Sequence, residues 1–257
     1  MIAISTGLQA LFPRPEQVDC ITAPVDISPF LDVEPDYACQ TITSIGTISE
    51  SKGLGDLADA AILLNRRGLD FRVVVIGDFY YADYLAAIEQ RLQQAGARDR
   101  LTFVPYQKDV ARWLGQSSIY CCPSHTEGMS RTIIEAMAAG LPVVATDCGG
   151  PRDLVRDRET GSLVPVRNPQ ALAAALEYLL ADSAKRQSQG VSGRAAAQAF
   201  DAETVVPRLI ERIEAARHAP ALSAETEAFV TLFLNVLQEA GPRVLLGKKW
   251  QLLRRFL

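Results

Sequence analysis

Short apolar runs recur along the middle of the chain. Each is followed by a longer stretch in which apolar positions return every third or fourth residue. The first run, 41–48, precedes an amphipathic stretch at 53–67. The second, 71–76 (FRVVVI), is apolar without interruption, as expected for a strand covered on both faces. It stops at Gly77-Asp78, a turn signal, and a helical stretch at 81–95 comes next with Gly96 as its stop. Further strands are predicted at 101–104, 118–122 and 142–146, with a short last one at 163–164. Helices are predicted at 108–114, 132–139, 169–181, 184–200 and 202–216. Strand alternating with helix at this spacing builds βαβ units, because parallel neighbours need a crossover. The predicted fold is α/β: a doubly wound, mostly parallel sheet over 41–200, with extra C-terminal helices over 201–257.

The two ends do not keep that alternation. Residues 1–40 hold strand-like pieces at 2–5 and 18–23 and five prolines, a composition of linker or of the tail of another domain. Past a Pro-Ala break near 220, a helix at 225–239 carries an apolar face of Phe229, Leu232, Phe233, Val236 and Leu237. The last stretch, 244–257, mixes leucines with Lys248, Lys249, Arg254 and Arg255. That mixture suits peripheral contact with the inner face of a membrane. It also suits docking on another domain or chain, and Trp250, Leu252, Leu253 and Phe256 favour docking because a lone tail would expose them.

Composition narrows the partners. A net charge of -4 over 257 residues gives no electrostatic case for nucleic acid. The five cysteines, Cys20, Cys39, Cys121, Cys122 and Cys148, are odd in number and lack ligand spacing, which points to a reduced, cytoplasmic compartment. With two histidines, His125 and His218, a His-rich metal site is not expected, and no metal ligands are assigned. No apolar run approaches the roughly 20 residues that span a bilayer. Residues 1–4 lack the basic flank of a signal peptide.

The densest chemistry lies between Glu127 and Glu135, in EGMSRTIIE. Two carboxylates flank a predicted strand-to-helix turn, and the second sits among Ile133, Ile134, Ala136 and Met137. A carboxylate in such apolar surroundings is expensive to bury without a polar partner. A ligand at the helix start is one partner, and Arg131 one turn earlier is another. Glu127 is also compatible with a plain turn residue beside a helix start, and Lys52 with a solvated lysine. His125 reads as a structural loop residue.

The stretch PSHTEGMSRTIIEAMAAGLPVVATDCGGPRDLV resembles the C-terminal, donor-binding half of retaining GT-B glycosyltransferases of the group 1 type, a Rossmann-like domain that uses nucleotide-sugars. Glu127, Gly128, Glu135, Ala136, Met137, Ala138, Gly140, Pro142, Gly149 and Gly150 match the family's E-x7-E motif, its EAMA-type helix, its G-x-PVVA run and its GG turn. Upstream, SIGTISESKG resembles the family's first strand and basic phosphate loop, and VVVIGD its second strand. The resemblance covers roughly 40–200, and 1–40 in outline.

That resemblance implies a set of roles. The helix-start amides at Gly128, Met129 and Ser130 face the diphosphate, with Lys52 as its cation. Glu135 accepts from the ribose hydroxyls, and Glu127 contacts sugar hydroxyls near the reacting carbon, the catalytic position. Tyr106, after the third strand, lies where the base usually rests. No cofactor or divalent metal is implied, only a nucleotide-diphosphate-sugar donor and an unidentified acceptor. Thr47 departs from the pattern, because the family usually carries an arginine there. Arg131 and Arg152 are the cations that could replace it. The larger departure is the absence of an acceptor domain before residue 40, which implies a fragment or half of a split enzyme needing a partner chain. A donor-like interaction module is the alternative. A related epimerase is weaker still, since the extra acid/base groups it would need are not evident.

Overall fold

The computed structural model describes residues 2–3, 6–10, 19–78 and 82–217. The chain opens with β1 (Ile2–Ala3), α1 (Thr6–Gln9) and β2 (Asp19–Cys20), where β1 and β2 form a small parallel pair. The main body begins with β3 (Thr41–Ile45), α2 (Leu54–Arg66), β4 (Arg72–Ile76), α3 (Ala82–Gln94), β5 (Leu101–Val104), α4 (Ala111–Gly115) and β6 (Ile119–Cys122). It continues as α5 (Arg131–Ala138), β7 (Val143–Thr146), α6 (Gly150–Leu154), β8 (Gly161–Val164), α7 (Pro169–Leu180), α8 (Ser183–Ala197) and α9 (Ala202–Arg217).

The last six strands form one sheet in the order β5-β4-β3-β6-β7-β8, every pair parallel. From β3 the chain builds outward to β5, returns, and builds outward again from β6 to β8. The order reverses between β3 and β6, and in open α/β sheets ligands bind outside the carboxyl ends of the strands at such a point. Burial on both faces is why β6 and β7 read as unbroken apolar runs. Cys121 and Val144 join a core with Leu57 and Leu64 of α2 and Leu176 of α7. Their neighbours Tyr120, Cys122, Val143 and Ala145 join a second core with Ile133, Ile134 and Met137 of α5.

Several predicted bounds move. β3 stops at Ile45, because Gly46 and Ile48 donate instead to the carbonyls of Ile76 and Asp78 at the end of β4. β8 starts earlier than expected, at Gly161, where a Cβ would stand 1.9 Å from the Val143 carbonyl oxygen. Glycine and serine at 161–162 therefore pair in the sheet without an apolar signal. The Gly149-Gly150 turn leads into α6, which periodicity did not reveal over so few residues, although Pro151 sits in its first turn. The helices expected at 225–239 and 244–257, and His218, lie outside the described residues.

Part of the stretch that reads as linker is packed into the domain. Val25, Ile27 and Phe30 are buried in the α5-side core. Val25 N–H donates to the Phe200 carbonyl at 3.1 Å, and Ala202 N–H to the Val25 carbonyl at 2.8 Å. Two arginines of α8 fasten the residues after them. Arg186, 2% exposed, donates to the carbonyls of Leu179 at 2.6 Å, Leu180 at 2.9 Å and Tyr37 at 3.1 Å. Arg194 donates to Ala138 at 3.0 Å, to Ala139 at 2.8 Å and to the Val33 carbonyl. Each guanidinium thus satisfies carbonyls that a helix end leaves without partners, while holding residues 33–37 against the sheet domain.

Candidate functional site at the switch point

Three strand-end loops meet where the sheet order reverses. The loop after β3 turns into a 3-10 segment, Glu50–Lys52, and enters α2 through Gly53. Gly53 is left-handed (φ 69), and a Cβ there would stand 1.8 Å from the Pro123 carbonyl oxygen in the loop after β6. His125 N–H donates to the Ser51 carbonyl at 2.8 Å, closing the same seam from the other side. On the far side Gly150 N–H donates to the Glu127 carbonyl at 2.9 Å, and a Cβ on Gly150 would stand 2.6 Å from the Gly128 carbonyl oxygen. Glycines at 53 and 150 are what let the three loops touch.

This contact brings Lys52 and Glu127 together across 75 residues of sequence: Lys52 Nζ lies 2.6 Å from Glu127 Oε1. The Ser124 hydroxyl donates to the same oxygen at 2.9 Å. Ser130 is the N-cap of α5, but its side chain makes no capping bond. Amide N–H groups at a helix start favour an anion. Thr132 in that turn accepts from the buried Tyr120 hydroxyl at 2.7 Å, which fixes the start of α5 against β6.

Glu135 lies one turn further along α5 and is half-buried. Burial raises its carboxyl above the ordinary range, and the Arg131 charge partly opposes this. Among the described residues its carboxylate has no ion-pair partner, so Arg131 acts on it at a distance rather than by contact. The two arginines expected to offset Thr47 differ. Arg152 is held two-pronged by Asp147, with both contacts at 2.8 Å, whereas Arg131 is exposed and in no ion pair among the described residues.

The residues singled out in the sequence are thus partly assembled. Lys52, Glu127, Gly128, Met129, Ser130 and Glu135 lie on the facing loops and α5. Thr47 lines the same β3 loop as Lys52. Tyr106 comes after β5, beyond β4 and β3 from β6, and is 66% exposed. A cleft of about 1030 Å³ opens on the α2–α3 side of the loops, lined by Thr47, Ser51, Tyr84, His125, Thr126 and Arg167 among others. It abuts the Lys52–Glu127 pair through Ser51 and Thr126 but does not include it. Ser124 and Thr132 were not anticipated, because nothing in local sequence marks a hydroxyl that meets a loop carboxylate or a buried tyrosine. Cys122 is buried beneath the site. Burial first, and then the Glu127 charge, push its thiol up to about 11. Among the described residues no group of three His, Cys, Asp or Glu side chains could hold a metal ion. No described helix is long and apolar enough to cross a membrane.

The reversed parallel sheet with its strand-end loops is the architecture of GT-B glycosyltransferases. It superposes on Anabaena HepE in complex with UDP with a TM-score of 0.76, at 24% identity, over 83% of this chain and 63% of that one. It also superposes on the C-terminal domain of a glycosyl transferase group 1 protein, LpcC, from Francisella tularensis, with a TM-score of 0.61 and 28% identity, over 68% of this chain and 96% of that domain. The model of the family "Glycosyl transferases group 1" matches residues 39–196, and the chain belongs to that family. Among curated relatives, a D-inositol 3-phosphate glycosyltransferase of Jonesia denitrificans is 30% identical over 205 residues, covering 72% of this chain and 48% of that protein. An uncharacterized glycosyltransferase of Haemophilus influenzae is 33% identical over 142 residues, 55% of this chain and 39% of that protein. The chain spans less than half the length of these relatives.

Proposed function

We propose that this chain is the donor-binding half of a retaining glycosyltransferase, which holds a nucleotide-diphosphate-sugar at the switch point for transfer to an acceptor. The observation that carries the reading is the Lys52–Glu127 contact at 2.6 Å beside the uncapped start of α5 and the half-buried Glu135. A diphosphate takes up Lys52 and the amides of Gly128, Met129 and Ser130, so negative charge on the departing phosphate develops against positive charge already in place. Glu135 accepts from the ribose hydroxyls, which supplies the polar partner its burial calls for. Glu127, the residue assigned to the reacting sugar, orients the sugar hydroxyls. Tyr106 offers its exposed ring to the base. The donor itself carries the reactive group, and no metal or further cofactor enters the reading. The UDP in the Anabaena HepE structure is a ligand of the class this reading calls for. The other wall of the cleft, with the acceptor, comes from an N-terminal domain or a partner chain.

Calorimetric titration of the folded chain with UDP, GDP and their sugar conjugates tests the reading. Binding of one nucleotide family, abolished by Lys52→Ala, supports it. A folded chain that binds none of them overturns it.

A further inference from the structure

His125 and Asp56 lie outside every role assigned so far, yet they bracket the segment that carries Lys52. His125 Nε2 is 2.9 Å from Asp56 Oδ2, and the side chains are only 14% and 18% exposed. Asp56 is in the first turn of α2, directly after Gly53. The backbone N–H of His125 donates to the Ser51 carbonyl at 2.8 Å, next to Lys52. One residue therefore grips the Glu50–Lys52 turn by its main chain and the start of α2 by its ring. Two residues later the same loop delivers Glu127 to Lys52.

We propose that His125, oriented by Asp56, is a positioning residue that sets the spacing between Lys52 and Glu127. Each of the two loops has its own fastening elsewhere: Ile48 N–H to the Asp78 carbonyl on one, and Gly150 N–H to the Glu127 carbonyl on the other. Those bonds hold each loop to its own neighbour and not to the other. Apart from the Lys52–Glu127 pair itself, the described contacts across the seam are the Gly53–Pro123 approach and those of His125. Losing the imidazole also leaves Asp56 partly buried without its partner. The Glu50 and Asp56 carboxylates both act on Tyr84 at this end of α2, so an unpaired Asp56 adds to a concentration of negative charge there. An unpaired, partly buried carboxylate is unfavourable, and the turn relaxes outward to hydrate it.

The spacing can be read without any ligand. Lysine acetylation by a limiting activated ester, resolved by peptide mass spectrometry, reports how tightly Lys52 is held. Lys52 is expected to acetylate several-fold faster in His125→Ala, as in the control Glu127→Gln, while Lys108 and Lys185 keep their rates. His125→Gln, whose amide reaches about as far as Nε2, is expected to restore the slow rate. Should His125→Ala speed every lysine alike, and so unfold the chain, Asp56→Ala decides by the same readout. A wild-type Lys52 rate in a folded His125→Ala or Asp56→Ala variant overturns the proposal. A second arm rests on the donor-site reading: a folded His125→Ala is expected to bind nucleotide-sugar about tenfold more weakly, a change of the size one well-placed contact carries. If the wild type binds no donor, the proposed function fails while the acetylation result still decides the role of His125.

Discussion

Lys52 Nζ lies 2.6 Å from Glu127 Oε1, so the cation of one strand-end loop is already balanced by the carboxylate of the next. A diphosphate entering the site must compete with Glu127 for that cation. Glu127→Gln removes the competitor but also a sugar contact. UDP or GDP is therefore expected to bind Glu127→Gln at least as tightly as wild type. The matching nucleotide-sugar is expected to bind about tenfold more weakly, ~1.4 kcal/mol. Side-by-side titrations check this, and equal losses for both ligands contradict the division of roles.

Burial holds the Glu135 carboxyl above its ordinary value of 4.5, with Arg131 pulling it back only in part. Between the ordinary and the raised value the folded chain binds more protons than the unfolded chain. Stability therefore falls as pH rises through that window, and the favourable contribution is present only at the acid end. Glu135→Gln is expected to flatten this part of the stability curve. At pH 7 it should melt a few degrees above wild type, since ~1 kcal/mol moves the midpoint of a chain this size by roughly 2–4 °C. The same variant is expected to bind nucleotide more weakly. Thermal melts from pH 4 to 8 with and without nucleotide separate the two effects.

Gly53→Ala places a methyl 1.8 Å from the Pro123 carbonyl oxygen and demands a left-handed alanine, itself unfavourable by about 1–2 kcal/mol. The loops after β3 and β6 must part to admit it. Loss of nucleotide binding together with a lowered melting temperature is the expected result. Gly68→Ala, equally left-handed (φ 74) but with nothing within 4 Å, isolates the backbone term and is expected to leave binding intact.

Arg186 is 2% exposed and donates to carbonyls on two segments, the end of α7 and Tyr37. Arg186→Met keeps much of the volume but leaves those carbonyls without a donor. A loss of about 3 kcal/mol is expected, in line with removing charge-assisted bonds to buried acceptors. Chemical denaturation measures it. A variant as stable as wild type would show that water replaces the guanidinium.

The strands β4, β6 and β7 were legible because burial on both faces leaves a continuous apolar run, and their alternation with helices sufficed for a parallel sheet. β8 was half hidden, since Gly161 and Ser162 pair by backbone alone and close approach to Val143 excludes a larger residue. The packing of Val25, Ile27 and Phe30 was missed because prolines in the same stretch suggested linker, and local composition says nothing of a core completed by α5. Glu127 and Glu135 stood out by their spacing around a turn. Asp56 did not, because it acts on His125 of another loop, and Ser124 did not, because a serine three residues before a carboxylate carries no signal of its own.

By itself the sequence determined the alternation of buried strands and amphipathic helices, the family, and the residue types of a strand-to-helix anion site, all of which are local properties of pattern and spacing. The tertiary structure decided which of those residues meet. Lys52 and Glu127 are in contact because glycines at 53 and 150 let three strand ends approach within bonding distance. Tyr106 follows β5, two places from β3 and three from β6, with its ring exposed. Contact between distant loops depends on strand order and on the space a missing side chain leaves, and neither is written in any local run of residues.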